Sequence, residues 1–192
     1  MSLWGSSSSD ESKPKNLTTA DKAEVYANES GWVVRAGSKL TGNGNTSATP
    51  EVLVTLGGLS TALAAASISS TQFDISEFDV SAGGTLSATV NYNEQVTVVG
   101  SPTIVVTNSQ AGGGSAATLT LTKSAATANA ITFTLVVGAA GSTISADDVL
   151  SIGAQNVTLA GGTIKDTVAN SNAAVAISAG AGSIAGTITA IA

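Results

Sequence analysis

Residues 88–106, ATVNYNEQVTVVGSPTIVV, decide the architecture. Ala88, Val90 and Tyr92 share one side of an extended segment, because strand side chains alternate between faces with period two. Residues 96–99 and 103–106 read as two further short strands. Gly100-Ser-Pro102 separates them: proline gives a ladder no N–H, and glycine tolerates a turn. A seed of this kind leaves an apolar face uncovered unless more strands join it, and the sequence supplies them. Leu86 extends the first face. Leu119 and Leu121 alternate with Thr118, Thr120 and Thr122, and Ile131, Phe133, Leu135 and Val137 alternate with Thr132, Thr134 and Val136. Val157 and Leu159 follow, then Val175 and Ile177. Breaks at 110–115, 138–142 and Gly161-Gly162 space these runs as an antiparallel sandwich requires. Residues 183–192, with Ile184, Ile188 and Ile191, read either as a last strand of the same sheet or as an arm for another chain's edge.

The N-terminal third has a different texture. Residues 1–20 read as an extended polar arm carrying one apolar anchor, Trp4. Residues 19–27 suit one or two helical turns with Thr18 or Thr19 as N-cap. Gly31-Trp-Val-Val-Arg35 and Glu51-Val-Leu-Val-Thr-Leu56 read as strands, and 59–67 as a short helix or strand. Tyr26 and Trp32 are expected to cluster with Val52 and Val54. The junction between the two textures is placed within 69–78, giving units of 1–72 and 73–192.

Composition narrows the function. Hydrophobic residues make up 43% of the 192, yet aromatics only 4%. The core is therefore built from small aliphatic side chains that bury little area each, and neighbours in an assembly would add to its stability. Histidine and cysteine are absent, which removes disulfides, most catalytic dyads and nearly all zinc, copper and haem ligation. The net charge of -6 argues against a phosphate-backbone partner. No apolar run approaches the ~20 residues of a membrane-spanning helix, and the first fifteen residues hold no signal-peptide core. Paired carboxylates for glycoside chemistry would have to come from Asp74, Glu77, Asp79, Glu94, Asp147, Asp148 and Asp166, with no aromatic sugar platform beside them. Asp74, Glu77 and Asp79, or Asp147 and Asp148, offer hard oxygens for calcium but no EF-hand spacing. Their plainer role is in solvated turns, and Glu94 is expected to pair with Lys165. No catalytic residue, cofactor or metal ligand is assigned.

Two resemblances add to this reading. Tyr92-x-Glu94-x-Val96-Thr-Val98-x-Gly100-x-Pro102-Thr-Ile104, Ile131-Thr-Phe-Thr-Leu135, Asp147-Asp-Val-Leu150 and Asn156-Val-Thr-Leu-Ala-Gly-Gly-Thr-Ile-Lys-Asp166, with Asn170 beyond, resemble the bacterial immunoglobulin-like repeats of large surface and adhesin proteins. The likeness covers about 84–178 and departs from the pattern in the Gly- and Ala-rich loop 110–117. It implies a display and contact module. Met1-Ser-Leu-Trp-Gly5, Gly31-Trp-Val-Val-Arg-Ala-Gly37, Thr41-Gly-Asn-Gly-Asn-Thr46 and Pro50-Glu-Val-Leu-Val54 resemble small virion structural proteins of T4-like tailed phages of marine cyanobacteria.

The expected fold is thus mainly β: a small N-terminal β-rich anchoring region, then an Ig-like antiparallel β-sandwich with an extra C-terminal strand. The expected role is a non-enzymatic capsid decoration or cement protein located on the virion. Its partners would be the major capsid protein or neighbouring copies of itself, with no nucleic acid and no membrane. The alternatives are a tail, neck or collar component, or a glycan-binding adhesion module. Trp4, Trp32, Arg35, Ile184 and Ile188 are the expected protein-interface residues.

Overall fold

The computed structural model describes residues 13–139, 143–179 and 186–192. Trp4 and Ile184 fall outside them. Strand outweighs helix by 46% to 7%, so the molecule is mainly β, with a sandwich-like arrangement of sheets.

The chain begins with a capping box. The Thr18 hydroxyl accepts the Asp21 N–H, and the Asp21 carboxylate reaches back to the Thr18 N–H, starting helix α1 (Thr19–Ala23). Strands β1 (Val25–Asn28), β2 (Gly31–Val34) and β3 (Glu51–Thr55) follow as an antiparallel sheet in that order. The tight β1–β2 turn requires Gly31. Its φ is +130°, and a Cβ there would overlap the Val54 carbonyl oxygen. Val25, Ala27, Trp32, Val34 and Leu59, the last from the single-turn helix α2 (Leu59–Ala62), form a small core. Leu17, Leu53, Leu56 and Leu63 pack against it.

Two expectations are corrected here. Residues 13–20 are part of the fold and not of an arm: Leu17 packs on the core, Thr18 caps α1, and Lys13 Nζ donates to the Lys22 carbonyl at 2.8 Å. Tyr26 and Val52 do not join Trp32. Strand alternation turns Tyr26 to the opposite face of the sheet, while Val52 on the outer strand is 46% exposed and Leu53 packs inward in its place.

Twelve strands follow: β4 (Ile68–Phe73), β5 (Glu77–Asp79), β6 (Gly84–Tyr92), β7 (Val96–Val99), β8 (Thr103–Asn108), β9 (Thr118–Thr127), β10 (Ala130–Val137), β11 (Val149–Ser151), β12 (Gln155–Asn156), β13 (Thr163–Asp166), β14 (Ala176–Ile177) and β15 (Thr187–Ile191). Eight of them make one sheet in the order β4-β6-β10-β9-β8-β11-β15-β5. This sheet curls until β5, at one end, packs on β6 near the other. The pairs β7–β13 and β12–β14 complete the enclosure. Inside lie Leu86, Ala88, Val90 and Tyr92 of β6, Ile104 and Val106 of β8, Leu119 and Leu121 of β9, and Ile131 and Phe133 of β10. The intervening threonines face outward, which is the alternation read from the sequence.

The sandwich starts earlier than expected and is not wholly antiparallel. β4 pairs along β6 from Ile68↔Tyr92 to Phe73↔Ala88, so residues 68–73 belong to the large sheet, and Ile68 and Phe73 both pack on its core. β15 lies between β11, to which it is antiparallel, and β5, to which it is parallel, with Ala190 opposite Phe78. Residues 187–191 are therefore a strand of this chain's own sheet.

Candidate functional site

The two units meet along a polar seam, and the seam opens into a cleft of about 320 Å³. Its floor is the outer face of β6 and β10, with Thr89 and Thr132. The tip of the β9–β10 hairpin contributes Thr127 and Ala128. Its wall is the N-terminal unit, through Glu24, Tyr26, Arg35, Ser38, Thr46 and Pro50. Sheet alternation makes this floor polar: Leu86, Ala88 and Val90 point into the core, so Ser87, Thr89 and Asn91 must point out.

Arg35 is the centre of the seam. It follows β2, where the backbone bond from Arg35 N–H to the Glu24 carbonyl (2.9 Å) fixes its position. One guanidinium nitrogen donates to Asn91 Oδ1 at 3.2 Å and to Asn129 Oδ1 at 3.5 Å. The other lies 3.9 Å from Glu24 Oε1. Burial lowers the guanidinium pKa from its ordinary value, against the pull of Glu24, Asp74 and Tyr26. Burial likewise raises the Tyr26 phenol, with Arg35 opposing it. Lys13 at the far side is pushed down to about 8, by burial first and then by repulsion from Lys22 and Arg35.

Asn129 ties both units together and is fully buried. Its Nδ2 donates to the Ala23 carbonyl at 3.1 Å in the N-terminal unit and to the Tyr92 carbonyl at 2.8 Å in the sandwich. A second link runs from the Ala27 N–H to the Asn93 carbonyl at 2.8 Å.

The expected interface residues are distributed differently from the expectation. Trp32 is 1% exposed inside the small core, because β2 alternation turns it inward, so it presents no surface to a partner. Ile188 is 4% exposed and packs in the large core, for the same reason on β15. Arg35 joins the two units within the chain.

The acids are held by turns. Asp148 accepts hydrogen bonds from Asn108 Nδ2 (2.8 Å), Gly112 N–H (2.8 Å) and Ser145 N–H (2.9 Å). Burial alone would raise its pKa, but these donors outweigh burial and hold it below the usual carboxylate range. Asp74 accepts from Ser87 (2.6 Å) and Thr89 (3.0 Å), and Asp79 from the turn at Ser81 and Ala82. Among the described residues no three carboxylates come together as a metal site. Glu94 does not pair with Lys165. Strand β13 turns Lys165 outward, to Asn170 Oδ1 at 3.3 Å, and turns Asp166 inward beside Glu94. Ser38 in the cleft donates to the Glu24 carboxylate and accepts the Leu40 N–H, the arrangement of a helix cap and not of an activated nucleophile.

Sequence reasoning missed Asn91 and Asn129. The outward phase of β6 marks Asn91, but Thr127-Ala-Asn-Ala130 reads only as a hairpin turn. Comparison with family models, characterised proteins and solved structures finds no match to this chain.

Proposed function

We propose that the chain is a non-enzymatic structural protein of a phage virion, a decoration or cement subunit that anchors through its N-terminal unit and displays the sandwich. The observation that carries this reading is where the two sets of motifs fall. The virion-protein-like segments within 31–54 belong to a three-stranded unit with its own core, and the repeat-like segments build the sandwich. Gly31-Trp-Val-Val-Arg35 forms β2 and the seam, while Pro50-Glu-Val-Leu-Val54 leads through β3, the edge of the small sheet among the described residues. Such an edge offers unpaired backbone groups to a neighbouring strand, and Val52 offers apolar surface beside them. The partner in this reading is the major capsid protein or a second copy of the chain. On an ordered shell many weak contacts of this kind add up through multivalency. The outer sandwich face, rich in threonine and poor in charge, suits display or bridging between neighbours.

Co-sedimentation with purified virus particles tests the proposal. The full chain is expected to pellet with particles. A Val52→Lys chain is expected to lose that binding while keeping its unfolding midpoint, since Val52 is exposed on β3. Failure of the full chain to bind would overturn the proposal. A tail, neck or collar position is the second reading; it predicts binding at one pole of the particle, visible by electron microscopy with a gold label.

A further inference from the structure

We propose that Glu94 and Asp166 form a proton-sharing acid pair that latches the N-terminal sheet to the sandwich and weakens as its proton is lost. Both residues are 1% exposed. Glu94 lies between β6 and β7 and bridges to Ala27 of β1, next to the bond between Ala27 N–H and the Asn93 carbonyl. Asp166 ends β13 opposite Val96, and the following residue donates its N–H to the Gln95 carbonyl at 3.0 Å. Three segments therefore converge on this pair.

The hydrogen bonding is asymmetric. Asp166 Oδ1 accepts the N–H groups of Val168 and Ala169, both at 2.8 Å. Among the described residues no group donates to Asp166 Oδ2 or to either oxygen of Glu94. Two adjacent buried carboxylates cannot both ionise, because each suffers desolvation and repulsion from the other. One proton relieves both costs. Neutral Glu94 then donates to Asp166 Oδ2, while Asp166 Oδ1 accepts the two turn N–H groups.

Asp166 is the charged group that acts on Glu94 among the described residues, and Ala27 of β1 bridges to Glu94 through the backbone. Lys165 is turned to Asn170, and Glu29 lies in a surface cleft with Gln95 and Thr167. Burial, then the charge and hydrogen bond of Asp166, push Glu94 up to about 8. Its folded pKa thus exceeds the unfolded value. The latch is fully present below the ordinary carboxylate range near 4.5 and is lost as pH rises to about 8.

Infrared spectroscopy and amide exchange test this. The wild type at pH 6 is expected to show a buried carboxylic-acid carbonyl band that disappears through about pH 8 and is missing in Glu94→Gln. Protection of the Ala27 and Thr167 amides, corrected for intrinsic exchange, is expected to fall about tenfold per pH unit across that window in the wild type and to stay flat in Glu94→Gln. If Glu94→Gln does not fold, Asp166→Asn serves instead and is expected to move the loss of the acid band to lower pH. Absence of the band in the wild type, or matching exchange profiles in wild type and Glu94→Gln, would overturn the proposal. So would a rise in melting temperature with millimolar calcium in the wild type alone, which would assign the pair to a cation.

Discussion

Replacing Asn129 with alanine tests the seam directly. The side chain is fully buried and donates twice, once to each unit, at 3.1 and 2.8 Å. Truncation strands the buried carbonyls of Ala23 and Tyr92 and removes an acceptor from Arg35. Each stranded buried group costs about 1–3 kcal/mol, so the loss is about 2–4 kcal/mol after partial relaxation. The assay is urea unfolding followed by Trp32 fluorescence in a Trp4→Phe background, which leaves Trp32 as the single emitter from the small core. With a urea slope of about 2 kcal/mol/M, the midpoint is expected to fall by about 1–2 M. Far-UV circular dichroism, weighted toward the larger sheet, is expected to shift less, so one shared transition separates into two. Asn129→Asp keeps the acceptor for Arg35 but loses both donors, and is expected to cost at least as much. A loss below about 0.5 kcal/mol, or an Asp variant as stable as the wild type, would refute the reasoning.

Two further outcomes follow from the geometry. The N–H donors around Asp148 lower its folded pKa below the unfolded value, so its contribution is present above about pH 4 and is lost as pH falls through the folded pKa; Asp148→Asn is expected to flatten the acid limb of a melting-temperature profile. Phe133, fully buried in β10, is expected to cost about 3–5 kcal/mol when changed to alanine, read from thermal or urea unfolding of the sandwich.

The large sheet was legible because its strands alternate cleanly. Leu119-Thr-Leu121 and Ile131-Thr-Phe133 each present one apolar face, and the structure buries those faces in one core. Short strands were harder. Ile68–Phe73 contains Ser-Ser-Thr-Gln and has little apolar contrast, so its place beside β6 comes from tertiary pairing. The parallel contact of β15 with β5 depends on how far the sheet curls, which no local pattern encodes. The seam was legible only in part. Arg35 was marked as an interface residue, but its acceptors come from positions 91 and 129, and their meeting is a property of the assembled fold. The Glu94 partner was misread by one residue, since a strand places Lys165 and Asp166 on opposite faces and only the register decides which one turns inward.

In the role proposed for it, the chain coats a virus shell. Quantitative mass spectrometry of purified particles, with the major capsid protein as the internal standard, tests this role. A near-stoichiometric ratio of the two proteins is expected. Absence from the particle would contradict it outright, and a few to a dozen copies would contradict the shell location and place the chain in the tail, neck or collar.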